Sequence, residues 1–185
     1  MTARKAQLHC ACMHRFQPPS PGWSAHLIDQ VDYLGHEGTP LFTQDGAVDA
    51  GEARRLLKDA VGQQVAFHRL ILSPSLASGL RSLEEVQPWT QAVVADLRTR
   101  LQRDLVYVAA AHRGPGAQPH SHVLIGGRAR VSATPRAADV LLRLEECVYL
   151  RERGTEQARV IAAQTARRRA ELVRYTHTYR HGEHA

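Results

Sequence analysis

Residues 105–127 read LVYVAAAHRGPGAQPHSHVLIGG, two apolar runs joined by a Pro/Gly-rich turn. Apolar runs of this length, bounded by turn residues, are read as β-strands, and the short connection makes them antiparallel neighbours. Side chains at i and i+2 of a strand share a face, so His120 and His122 offer two imidazoles to one ion. His112, just before the turn, can return beside them as a third ligand. Three neutral imidazoles without cysteine or carboxylate leave coordination positions open on a divalent ion, which suits catalysis better than a closed structural site. An isolated His-x-His pair more often binds nothing, so its neighbours must decide.

Working outward, AQLHCACMHR reads as a first strand ended by the loop QPPSPG. From Trp23 to Leu34 the apolar residues Leu27, Ile28, Val31 and Leu34 recur on one face, which predicts a helix stopped by Gly35 or Gly38. TPLFTQDG is a short extended piece and turn, DAGEARRLLKDAVG a second helix, and VAFHRLILSP a strand ended by Pro74. A longer helix starts near Ser82 and carries Leu83, Val86, Trp89, Val93, Leu97 and Leu101 at helical spacing, with Pro88 marking a start or a bend. After Pro135 a helix is predicted from Ala137 to about Tyr175, broken near Gly154, with a frayed tail. Strands separated by long helices that return to hairpin pairing predict an α+β fold. Its central antiparallel sheet carries the histidines and is flanked by helices, with a C-terminal helical extension. The expected division is a domain over 1–135 and a helical segment over 136–185.

Composition narrows the function classes. The 185 residues carry 24 Lys and Arg against 18 Asp and Glu, a net charge of +6 that favours a polyanionic partner, nucleic acid above all. No stretch approaches the roughly 20 apolar residues of a membrane span, so a soluble, cytoplasmic protein is expected. Three cysteines, Cys10, Cys12 and Cys147, form no disulfide framework and read as reduced thiols.

Tyr33 falls opposite the apolar stripe of its helix, where the core does not need it. His26, Asp29 and Gln30 lie one or two turns back and could orient its phenol. The ordered trio AHLIDQVDYLGHEG, FHRLILSP and HRGPGAQPHSHVLIGG resembles the three motifs of plasmid mobilization relaxases, the HUH nucleases of conjugative DNA transfer. DQVDYLGHEG is similar to the catalytic-tyrosine segment of the Ti-plasmid border endonuclease and its relatives, and HRLILSP to their central strand. The histidine spacing, and Gly114 where other branches place an aspartate, is closer to the MobA-type mobilization proteins. The resemblance covers roughly Ala25 to Gly127.

It implies a divalent metal held by His112, His120 and His122, Mg or Mn first and Zn as a further option, with Tyr33 as nucleophile. The implied activity is site-specific nicking and rejoining of single-stranded DNA at an origin of transfer through a 5′-phosphotyrosine, alongside relaxosome accessory proteins and without membrane insertion. Candidate DNA contacts are Arg69, Arg113, Arg128 and Arg130, with the run Arg167–Arg169 on the last helix. His68 or Arg69 could line the site. The chain departs from the pattern in its short length and in Ser121, where many relatives have an apolar residue. Three other readings stand beside it. HUH replication initiators and transposases place the tyrosine after the metal motif, where Tyr149, Tyr175 and Tyr179 are available. The others are a DNA-binding relative that does not nick and an unrelated zinc hydrolase.

Overall fold

The computed structural model describes residues 11–17, 23–61, 67–75, 78–102, 105–113, 118–126 and 144–182. In chain order these form β1 (Ala11–Gln17), α1 (Trp23–Leu34), β2 (Leu41–Phe42), β3 (Ala47–Val48), α2 (Ala50–Val61), β4 (Phe67–Ser73), α3 (Leu83–Leu101), β5 (Val106–Arg113), β6 (Pro119–Gly126) and α4 (Leu144–Gly182). The strands make one antiparallel sheet in the order β1-β4-β6-β5-β2-β3. The fold is α+β, as expected, with helices on both faces of the sheet.

Strand alternation sorts the side chains between those faces. On one face Phe67, Val108, Ala110 and Leu124 pack under Leu27, Val31 and Leu34 of α1 and Ala53 and Leu57 of α2. On the other, Leu70, Leu72, Tyr107, Ala109, Val123 and Ile125 pack under Val86, Trp89, Val93 and Leu97 of α3 and Leu150 and Ala158 of α4. Each fully buried Leu, Val or Ile side chain contributes roughly 1.5–3 kcal/mol relative to an exposed one, so the two apolar layers hold the sheet from both sides.

Local chemistry sets the helix ends. Asp49 Oδ1 accepts from the Glu52 backbone N–H at 2.8 Å and caps α2. Ser82 and Glu85 form a reciprocal capping box at the start of α3, the Glu85 N–H donating to Ser82 Oγ at 3.2 Å and the Ser82 N–H to Glu85 Oε2 at 3.1 Å. The β2–β3 turn closes through the Thr43 N–H donating to the Gly46 carbonyl at 2.8 Å, and Gly46 takes a φ of +129° that a side chain would oppose.

Four expectations are corrected. Ile28 is 36 % exposed, because Leu27, Val31 and Leu34 already fill the stripe that α1 turns to the sheet. Pro88 does not start α3, which begins at Leu83 and runs through it; both Pro88 and Glu84, whose carbonyl loses its helical donor, are exposed to water. Gly154 does not interrupt α4. It is buried, and its carbonyl accepts the Trp89 indole N–H at 2.8 Å, a close helix–helix approach that a bare Cα favours. The tail expected to fray is helical through Gly182, the last described residue.

Residues 136–143, at the start of the expected last helix, lie outside the described residues, as do Cys10 and the side chains of Cys12 and Cys147. No helix among the described residues is long and apolar enough to cross a membrane.

Candidate active site

Register brings the three histidines together. His112 on β5 is the direct partner of His120 on β6, and His122 pairs with Ala110 on β5 and Ile71 on β4. Partners in an antiparallel ladder point to the same side, so all three rings stand on the face covered by α1 and α2. Ring centroids are 4.9 Å apart for His112 and His122, 5.0 Å for His120 and His122, and 6.0 Å for His112 and His120. The Nε2 atoms of His120 and His122 lie 3.1 Å apart. Two imidazole nitrogens in adjacent positions about 2.1 Å from one ion would be separated by about 3.0 Å, so this pair is already spaced for shared coordination.

His112 is close to His122 and further from His120. Among the described residues no group of three or more His, Cys, Asp or Glu side chains is arranged as a formed metal shell. The widest separation within the trio is the 6.0 Å between the His112 and His120 rings. His112 Nε2 is buried without a hydrogen-bond partner, a cost of about 1–3 kcal/mol that an ion would relieve. The donor set and this orphaned nitrogen fit a divalent cation.

The electrostatics agree with a ligand role. Burial first, then the neighbouring His120, holds the His112 imidazole below its ordinary range. Burial, followed by His112, His120 and Arg69, pushes His122 down to about 4. Both rings are therefore neutral at pH 7 and keep a lone pair for a metal. His120 Nδ1 lies 3.3 Å from the Gln118 carbonyl. With its proton on Nδ1 the ring donates there and turns Nε2 toward His122, the usual outer-shell arrangement of a metal-bound histidine. Gln118 is itself tied down, its side-chain amide donating to the Pro74 carbonyl at 2.7 Å. Sequence reading missed Gln118, because a backbone carbonyl leaves no trace in residue type.

Tyr33 is 57 % exposed near the end of α1, with its ring 6.1 Å from that of His122 in an edge-on arrangement. A cleft between α1 and the sheet is lined by Gln30, Tyr33, Arg69, Ile71, His122 and Leu124, among others. The Asp32–Arg54 ion pair links α1 to α2 beside it. Ser121 points the opposite way, fully buried, with its hydroxyl 2.8 Å from that of Thr90 on α3. A small polar residue between two candidate ligands is thus accommodated behind the sheet.

The remaining candidates are dispersed. Arg69 shares the cleft, whereas His68 alternates to the other face and is fully buried. His26 is exposed and packs its ring 5.9 Å from Phe67. Tyr149 lies behind the sheet, its hydroxyl donating to the Asp96 carbonyl at 3.2 Å and its face covered by the Arg100 guanidinium at 4.5 Å. The Arg113 guanidinium donates to the Arg81 carbonyl at 2.9 Å, away from the histidines. Of the Arg167–Arg169 run on α4, Arg169 lies 3.4 Å from Glu85 and all three are exposed. Arg128 and Arg130 fall outside the described residues, as do the side chains of Tyr175 and Tyr179.

No known protein-family model and no curated protein matches the chain.

Proposed function

We propose that the chain is a relaxase-like HUH nuclease that nicks and rejoins single-stranded DNA in plasmid mobilization. The observation that carries this reading is the meeting of Tyr33 with His122 across one cleft, from segments some ninety residues apart in the chain, with His112 and His120 on the same sheet face. Among the described residues no group of carboxylates is clustered with the histidines to complete the metal shell of a zinc hydrolase. A C-terminal nucleophile is disfavoured by Tyr149, which the sheet separates from the histidines and which α3 holds through Asp96 and Arg100.

In the proposed reaction the Tyr33 phenolic oxygen attacks the scissile phosphorus and the P–O3′ bond breaks. The strand is left with a free 3′-hydroxyl and a 5′-phosphate esterified to Tyr33. Reverse attack by a 3′-hydroxyl rejoins it, because the phosphodiester bond energy is retained in the protein–DNA link. His112, His120 and His122 would hold the divalent metal. When bound, that ion supplies positive charge to a non-bridging phosphate oxygen and to the developing transition state. Arg69 places a permanent cation in the same cleft, where a phosphate backbone can pass. Three nitrogen donors suit Mn or Zn better than Mg, which prefers oxygen ligands.

The test is incubation with single-stranded oligonucleotides and Mn²⁺, followed by denaturing electrophoresis. A covalent adduct that forms with the native chain and disappears in Tyr33→Phe is expected. An adduct that persists in Tyr33→Phe but is lost in Tyr149→Phe or Tyr175→Phe transfers the role to a C-terminal tyrosine. DNA binding with no adduct on any oligonucleotide identifies a binding protein instead.

A further inference from the structure

We propose that the segment following β4, residues 74–75 and 78–81, positions the metal-binding histidines, and that Ala162 on α4 fixes where this segment lies. The proposal rests on the reading of His112, His120 and His122 as metal ligands and adds residues outside the site that control its geometry. The ladder between β5 and β6 ends at Arg113 and Pro119, one position beyond the His112–His120 pair. At that end both flanks of the turn are held by the same segment. On the β6 side the Gln118 side-chain amide donates to the Pro74 carbonyl at 2.7 Å, and on the β5 side the Arg113 guanidinium donates to the Arg81 carbonyl at 2.9 Å. The partners are 44 and 32 positions away in the chain, so neither bond belongs to the pairing of β5 with β6.

The segment is seated from behind the sheet. The Ser78 N–H donates to the Ser75 carbonyl at 2.9 Å, which joins its two parts, and Leu80 is buried in the apolar layer under α3 and α4. Gly79 takes a φ of +87°, and a side chain there would come within 3.3 Å of the Ala162 methyl, so its backbone lies directly against α4. A contiguous path therefore runs from α4 through Gly79 and Pro74 to Gln118, whose carbonyl lies 3.3 Å from His120 Nδ1. It ends where the trio is widest, at the 6.0 Å between the His112 and His120 rings, so moving one flank of the turn against the other changes that separation first. Groups that orient a ligand ring in this way are worth about 10- to 100-fold in metal affinity. Extra volume at position 162 has to be taken up by a shift of the Gly79 backbone, because overpacked sites yield in that way.

The experiment titrates the full chain with Zn²⁺ in a calorimeter and follows thermal unfolding of each variant alongside. Ala162→Val presses on Gly79 and should weaken binding by about fivefold or more. Ala162→Gly lowers helix propensity without pressing on Gly79, so it should lower the unfolding midpoint yet bind within about twofold of the native chain. That pair of results separates positioning from a general loss of stability. In the Gln118→Ala background, Ala162→Val should add less than about twofold, because the path is already cut. Arg113→Ala tests the other flank at an exposed residue and keeps the proposal open to refutation if Ala162→Val does not fold. Removing a positive charge would by itself raise affinity for a cation, so a fall of about threefold in Arg113→Ala reports the lost bond to the Arg81 carbonyl. Native affinity in a folded Ala162→Val, or in Arg113→Ala, overturns the proposal, as do effects of Ala162→Val and Gln118→Ala that multiply in full. If the native chain binds no Zn²⁺, the metal reading itself fails and this one falls with it; native binding with unresponsive variants removes the positioning role alone.

Discussion

Tyr33 is available for chemistry because Leu27, Val31 and Leu34 occupy the stripe of α1 that faces the sheet, leaving the phenol on the cleft side. Replacing it by Phe should move stability by no more than about 0.5 kcal/mol, as for most exposed positions, while abolishing any covalent adduct. His122 makes a second, pH-dependent statement. Its folded pKa of about 4 lies below the ordinary 6.5, so the unfolded chain binds the extra proton in between. Stability is therefore fully present above about pH 6.5 and declines as pH falls toward 4. Thermal unfolding of the metal-free protein between pH 7.5 and 4.5 should show that decline, and His122→Gln should shallow it; an equal slope in the variant assigns the dependence to other groups. Gln118 acts at one remove. Loss of its amide in Gln118→Ala frees the segment whose carbonyl faces His120 Nδ1, and affinity for Zn²⁺ or Mn²⁺ measured by calorimetry should drop about 10- to 100-fold.

At the scale of elements, β6 is the shared part of the structure: one face supplies His120 and His122 and the other is fastened to α3. Thr90 has a hydroxyl 2.8 Å from both the Val86 carbonyl and Ser121 Oγ, and one proton cannot serve both. With Thr90 donating to the carbonyl, Ser121 donates to Thr90. Thr90→Val then leaves the Ser121 hydroxyl buried without a partner, at a cost of about 1–3 kcal/mol in chemical denaturation. The double variant Thr90→Val with Ser121→Ala should recover most of that loss, and a strictly additive result would show that the two hydroxyls are not coupled. The α3–α4 contact is built differently. The Asp96 carboxylate accepts from Arg153 Nε and from Gln157 Nε2, each at 2.9 Å, while Trp89 reaches the Gly154 carbonyl. This joint holds Tyr149 against α3 on the far side of the sheet.

For the whole molecule, the sheet separates two tasks. The α1–α2 side carries the histidines and the cleft; the α3–α4 side is apolar support. Burial along α4 ends near Thr165, and the following stretch through Leu172 is exposed, so this part of the helix contributes little to the core. Replacing Arg167, Arg168 and Arg169, all exposed, by Gln should leave cooperative unfolding essentially unchanged. If these arginines bind phosphates, that variant should hold single-stranded DNA with a shallower dependence on salt, by about 0.7 in log–log slope for each phosphate no longer neutralised.

Much of this is legible in the order of residues alone. Apolar periodicity locates α1 to the residue, together with the cores of α2, β4 and α3, and the turn HRGPGAQP places β5 and β6 side by side, because these signals are local and repeat with the geometry of each element. The same alternation puts His120 and His122 on one face. What escapes the residue pattern depends on partners distant in sequence. Ile28 has the spacing of a core residue, yet Leu27, Val31 and Leu34 fill the interface without it, and Gly154 has the composition of a break, yet Trp89 packs against it. Which of His68 and Arg69 turns toward the site follows from the β4–β6 register, and the carbonyl facing His120 follows from a backbone fold. Residue order dictates strands, helices and the chemistry each carries along its length. The approach of Tyr33 to His122, and the sheet standing between the histidines and Tyr149, come from packing two apolar helix layers on opposite faces of one sheet, a long-range outcome that no local pattern encodes.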